Sequence, residues 1–185
     1  LKRRKKILEL SNRYRIPIIE EDAASELSFN YTGLPTLKSM DFSDNVIYIY
    51  SFSLTFIPGL SVAAVVAPEK VIKSLSYLVS VRMVSLDWIT QKLLSKYISE
   101  GTYDLKVREI IESNKEKKEL MCSFLDELAD IDLSYEDPKG GVYIWCKLPP
   151  RVNVKELVRR LNEENISVIT GRLFYPRKNG GLRHI

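Results

Sequence analysis

Two stretches decide the fold, Ile16–Phe29 (IPIIEEDAASELSF) and Asn45–Pro68 (NVIYIYSFSLTFIPGLSVAAVVAP). The first opens with a short apolar run, Ile16-Pro17-Ile18-Ile19, that ends in Glu20, Glu21 and Asp22. An uninterrupted apolar run of that length reads as a buried parallel strand. Carboxylates at the C-terminal end of such a strand stand where α/β sheets place their ligands. In the second stretch, Val46–Tyr50 is a strand followed by Ser51-Phe52-Ser53, and Ser61–Ala67 is another, closed by Pro68. Strand, long loop, strand, loop and strand, all apolar, belong to an α/β domain.

Upstream, residues 2–14 (KRRKKILELSNRY) have the period of an amphipathic helix, with Ile7, Leu8 and Tyr14 expected inside and the lysines outside. The basic cluster Lys2, Arg3, Arg4, Lys5, Lys6 reads as the solvated face of that helix, with phosphate contact as the alternative reading. Gly33, Pro35 and Asp44-Asn45 mark the loop between the first two strands. Downstream, residues 69–100 are helical. Pro68 fits a helix entry, and Leu75, Leu78, Val79 and Met83 recur at helical spacing. A second helix covers Ile89–Glu100 with Gly101 as its C-cap. A long amphipathic helix over 105–129 carries Val107, Ile110, Ile111, Leu120, Phe124, Leu125 and Leu128 on its apolar stripe.

The pattern then changes. Leu133–Tyr135 and Val142–Cys146, around the turn 137–141, form a hairpin. Asn153 with Glu156 opens a helix over 154–164 in the manner of a capping box, and Ile166–Ile169 follows as a strand. The sequence therefore predicts three parts. Residues 1–75 belong to a larger α/β domain with a mostly parallel sheet, 76–106 are linking helices, and 107–185 form a small α+β domain.

The 185 residues carry 28 basic and 24 acidic side chains, a net charge of +4 too small and too scattered to argue for nucleic acid. The two cysteines, Cys122 and Cys146, form no CxxC pair, and the single histidine, His184, has no cluster around it, so no metal site is expected. Two isolated cysteines fit a reduced, cytoplasmic setting. No apolar run is long enough to span a membrane, and no signal peptide is expected. The chain begins at Leu1 without a methionine and stops within a pattern at Arg183-His184-Ile185, and is expected to be part of a longer protein.

The two deciding stretches resemble the cofactor region of fold-type-I pyridoxal-phosphate enzymes. They are most similar to the aminotransferase-like domains of MocR-type regulators, a branch of the GntR family. The pattern there runs I-I-E-D-D-Y-x-S-E and, after strand and loop, S-F-S-K-x-x-x-P-G-L-R. The segments EGTYDLKVR (100–108) and GGVYIWCKLP (140–149) resemble later parts of the same family. The resemblance implies a partial pyridoxal-phosphate-transferase fold, a homodimer, and DNA contact only through an N-terminal domain outside this chain. It also places the family's roles on positions here. The Schiff-base lysine falls on Leu54, the pyridine-pairing aspartate on Glu21, the ring-oxygen tyrosine on Ala23 and the phosphate arginine on Ser61. Ser51 and Ser53 alone keep hydroxyls where the family holds phosphate. Tyr50 replaces a small residue and is expected to put a ring into cofactor space. Glu26 keeps the family's glutamate without an evident task.

An imine requires an amine, which leucine lacks. Four departures in one pocket imply an aminotransferase-like domain without catalysis or covalent pyridoxal phosphate, serving a transcription regulator in effector binding or dimerisation. No catalytic residue is expected, and a small-molecule effector remains open. Two other readings stay open as well, a fragment of a pyridoxal-phosphate-dependent aminotransferase and a purely structural interaction module.

Overall fold

A computed structural model describes residues 1–30, 34–57, 62–82, 87–176 and 180–185. The chain divides into two compact units, Leu1–Glu112 and Ser113–Ile185.

In the first unit, helix α1 (Lys2–Tyr14) precedes strand β1 (Ile18–Asp22). Only one face of α1 is covered. Leu8 and Ser11, three residues apart, are buried, while Ile7 is more than a third exposed and Tyr14 more than half, contrary to the expected inward set. Ile7 lies about 100° around the helix from Leu8, and Tyr14 stands in the last turn under the Arg13 guanidinium. Ser11 Oγ donates to Ile16 O (2.6 Å), tying the helix end to the strand entry. Arg4 donates to Pro35 O and lies 3.9 Å from Glu20, and Lys6 pairs with Glu9.

Strand β2 (Val46–Ser51) pairs with β1 in parallel, from Ile18 opposite Val46 to Asp22 opposite Tyr50. Strand β3 (Ala63–Val66) pairs with β2 antiparallel, from Tyr48 opposite Val66 to Ser51 opposite Ala63. The sheet is thus mixed, with one parallel and one antiparallel pairing among the described residues. The β-branched and aromatic run VIYIYS suits the central position, since such side chains pack well on a pleated surface. The loop between β1 and β2 is anchored by Glu20, which accepts the amides of Leu37 (2.7 Å) and Lys38 (2.8 Å).

Pro68 leads into α2 (Glu69–Val81), on which Leu75, Leu78 and Val79 are exposed. Helix α3 (Trp88–Ser99) is capped by Asp87, whose carboxylate accepts the amides of Ile89 and Thr90. Gly101 ends it as expected, with φ at 72°, a left-handed conformation that suits glycine. Helix α4 (Thr102–Asp126) follows. The core of the unit is Phe56, Leu94, Tyr103 and Val107, with Phe52, Ile57, Val62, Leu93, Tyr97 and Ile111 packed against them.

In the second unit the buried residues of α4 are Cys122 and Leu125, whereas Leu120, Phe124 and Leu128, expected on the same stripe, are exposed. Strands β4 (Ser134–Tyr135) and β5 (Cys146–Lys147) form a short antiparallel pair, so the hairpin exists but Val142–Ile144 lie outside it. The other edge of β5 is taken by the end of the chain. Cys146 and Ile185 exchange both backbone hydrogen bonds, and Leu148 N donates to Arg183 O. With both edges of β5 occupied, the expected strand Ile166–Ile169 finds no place there and is irregular. Asn153 caps α5 (Val154–Glu163) through the amides of Lys155 and Glu156. Glu156 turns instead to Arg159 and Arg160, so only half of the expected capping box forms. His184 bridges to Lys147 and stacks on Trp145 with ring centroids 5.1 Å apart. No described helix is long and apolar enough to cross a membrane. Met83, Gly33 and Ser61 lie outside the described residues.

Candidate cofactor site

Alternation along β1 sorts the three acids. Glu20 and Asp22 point to one side of the sheet and Glu21 to the other. The parallel register sets Tyr48 beside Glu20 and Tyr50 beside Asp22, and sets Glu21 beside Ile49. Asp22, at the strand end, is tied into its surroundings by two hydrogen bonds. Its carboxylate accepts the Tyr48 hydroxyl (2.8 Å) and the amide of Ser25 (3.1 Å). Burial first, and then this hydrogen bond, push the Tyr48 phenol well above the ordinary tyrosine range. Glu21 is exposed.

Ser51 follows Ile49 by two residues and therefore shares the Glu21 side of the sheet. Its hydroxyl donates to Ser53 Oγ (2.9 Å) and accepts the Ser53 amide (3.3 Å), so the two hydroxyls assigned to phosphate are joined to each other. The turn that follows is held by backbone hydrogen bonds from Thr55 (3.3 Å) and Phe56 (2.9 Å) to Phe52 O. Thr55 and Phe56 are buried, and Leu54 between Ser53 and Thr55 is 40% exposed. Ala23 follows β1 directly and is half-buried.

The structure thus brings Glu21 and Ser51 to one side of the sheet, joins Ser51 to Ser53, and places Leu54 in the adjoining turn. These residues do not make a site for covalently held pyridoxal phosphate. Leu54 has no amine and Ala23 no hydroxyl.

Tyr50 departs from expectation. Because it alternates with Ile49 and Ser51, its ring leaves on the opposite side from Glu21, away from the cofactor positions. There it enters a cluster that was not anticipated. The Tyr50 hydroxyl donates to the Glu26 carboxylate and lies 2.8 Å from the Tyr103 hydroxyl. Tyr103 donates to Glu26 Oε2 (2.8 Å) and lies 2.7 Å from Thr55 Oγ1. Phe52 packs edge-on to both tyrosine rings, at 4.7 and 5.8 Å. Burial, more than any other influence, raises both phenols. Glu26 and Tyr103 each stand in a segment that carries the family resemblance, but nothing in the linear order signals that they meet.

Residues 1–183 match the family described as aminotransferase class I and II. The chain is 29% identical over 182 residues to the HTH-type transcriptional regulator YdfD of Bacillus subtilis, covering 98% of this chain and 38% of that protein. It is 30% identical over 181 residues to a 2-aminoadipate transaminase of Thermus thermophilus, covering 96% and 45%. Among solved structures, LysN, the α-aminoadipate aminotransferase of Thermus thermophilus complexed with N-(5'-phosphopyridoxyl)-L-leucine, superposes with a TM-score of 0.87 at 29% identity. The match covers 98% of this chain and 47% of that one. The chain therefore spans less than half the length of each of these proteins.

Proposed function

Because the chain belongs to the aminotransferase class I and II family, we propose that it is part of an aminotransferase-like domain that no longer transaminates and serves a transcription regulator in effector binding or dimerisation. The observation that carries this reading is Leu54, at the position from which the family's lysine would bond the cofactor. Pyridoxal phosphate held by a lysine supplies an electron sink for amino-acid chemistry, and a leucine side chain has no group with which to hold it. Ala23, which has no hydroxyl, supports the same conclusion. Glu21, Ala23, Ser51, Ser53, Leu54 and Ser61 are vestiges of a cofactor site. The regulator relative, aligned over 98% of this chain, supports the regulatory half of the reading.

In this reading the protein is a cytoplasmic homodimer, DNA is reached only through an N-terminal domain, and any small-molecule effector or pyridoxal phosphate binds without a covalent link. Residues 1–75 serve as part of the large domain, 76–106 as its link, and 107–185 as the small domain. The transaminase relative favours the second reading, a piece of a catalytic aminotransferase.

The test is direct. The protein, expressed from its complete reading frame, is incubated with pyridoxal phosphate, reduced with borohydride and mapped by mass spectrometry. We expect no imine absorbance band and no reduced adduct. An adduct on a lysine of this domain, with transamination of an amino acid, would establish the catalytic reading instead.

A further inference from the structure

The hydroxyl cluster beside the vestigial site joins four places in the first unit. Glu26 comes from the 3-10 turn after β1, Tyr50 from β2, Thr55 from the turn after β2, and Tyr103 from the first turn of α4. One set of donors and acceptors serves them all. Thr55 donates to Tyr103, Tyr103 donates to Glu26, and Tyr50 donates to Glu26, so each hydroxyl proton has an acceptor and the carboxylate takes two. Thr55 is 1% exposed, which leaves its hydroxyl no water in exchange for Tyr103.

Thr55 also belongs to the turn that carries Leu54. Phe52 and Phe56 flank that turn in the core, on aromatic and aliphatic contacts that do not dictate direction. The hydroxyl contacts do, because hydrogen bonds require alignment as well as proximity. They approach from the side of the sheet opposite Glu21 and Ser51.

We propose that Tyr103 is a positioning residue, whose hydroxyl, seated on Glu26, latches Thr55 to α4 and so sets the direction in which side chain 54 leaves the turn. The latch is a property of the first unit and does not depend on whether the domain regulates transcription.

Amide hydrogen exchange in the protein expressed from its complete reading frame tests it, read at Thr55 and Phe56, whose N–H groups close the turn on Phe52 O. Three variants separate hydroxyl from shape. Thr55→Val keeps the shape and removes the hydroxyl, Thr55→Ser keeps the hydroxyl and removes a methyl, and Tyr103→Phe removes the other partner. We expect Thr55→Val and Tyr103→Phe each to speed exchange at these two amides by about three- to tenfold, the range one net hydrogen bond supports. Their combination should be no faster than the faster single variant, and Thr55→Ser should stay within about twofold of the parent. The proposal is overturned if Thr55→Ser loosens the turn as much as Thr55→Val, which would assign the anchoring to packing. It is equally overturned if neither Thr55→Val nor Tyr103→Phe changes exchange, if the two effects add in full, or if α1, α3 and the turn accelerate uniformly. The last outcome would make the hydroxyls contributors to overall stability rather than to the turn.

Discussion

The Tyr103 hydroxyl lies 2.8 Å from the Glu26 carboxylate, although 77 positions separate the two residues in the chain. The contact joins the segment behind β1 to the start of α4. It also places a phenol, itself raised by burial, against a group that further disfavours its ionisation. Tyr50 shares the carboxylate and is raised in the same way.

An alkaline signature follows from that arrangement. In the unfolded chain these phenols lose their protons near the ordinary value of 10.0, and in the folded chain they do so higher. The folded state therefore binds more protons than the unfolded state above pH 10, and stability falls as pH rises there. Below the unfolded value both states are protonated and the contribution is fully present. Urea unfolding midpoints measured from pH 9 to 11.5 should decline more steeply in the parent than in the Tyr50→Phe, Tyr103→Phe double variant. Parallel declines would mean that other groups govern the alkaline limit.

Restoring one residue should not restore chemistry. In Leu54→Lys, Ala23 still offers no hydroxyl and Ser61 still offers no guanidinium to a phosphate. A charge-assisted contact contributes about 1.5–3 kcal/mol, so lacking the arginine alone weakens phosphate binding by about tenfold to a hundredfold. Glu21 carries its carboxylate one methylene further out than an aspartate, and misplacement by about an ångström costs on the order of a hundredfold in rate. An amino-acid half-reaction followed by absorbance should find no turnover in Leu54→Lys. The same assay should find measurable turnover only after Glu21→Asp, Ala23→Tyr and Ser61→Arg are added. Turnover in the single variant near that of an ordinary aminotransferase would show that the rest of the pocket is intact.

Helix α5 rests on its ends and its surface. Asn153→Ala removes the acceptor for two amides and should cost about 1 kcal/mol in denaturant unfolding of the second unit. Glu156 accepts from Arg159 and Arg160, and these hydrogen bonds hold its carboxyl at about 2, below the ordinary 4.5. Its folded value is lowered, so its contribution is present above 4.5 and is lost as pH falls through about 2. The pairs are solvent-exposed, and added salt should weaken them. Helical circular dichroism should therefore show an acid transition in that window that Glu156→Gln removes. An unchanged transition in the variant would place its origin elsewhere.

Apolar surface in the first unit points to assembly. Ile19 is 67% exposed and Val65 38%, on one side of the sheet with Ile47 and Ile49 of β2 between them. Contiguous apolar surface of that kind marks an interaction face. The complete protein should run as a dimer in light scattering, burying about 1,200–2,000 Å² or more between protomers, with part of that surface drawn from residues 1–75. A monomer at every concentration tested would refute it.

Much of this was legible in the linear order. The strands β1, β2 and β3 appear as short apolar runs, because a strand needs only its own few residues and a β-branched composition to declare itself. Helix ends at Gly101 and Asn153 were equally readable, since a cap is a local hydrogen bond or a local φ. That a leucine, Leu54, stands at the position where the resemblance puts a lysine was readable from the sequence alone. Tertiary structure decided what depends on a second segment. It chose which face of α1 and α4 is covered, exposing Ile7, Leu120 and Phe124 although the helical period offered them to the core. It gave the free edge of β5 to residues 183–185 and left Ile166–Ile169 without a strand. It also sent Tyr50 away from the cofactor positions and toward Glu26. Period-two alternation ties Tyr50 to the Asp22 side, but only the pairing of β1 with β2 makes that side the one where Glu26, Thr55 and Tyr103 meet.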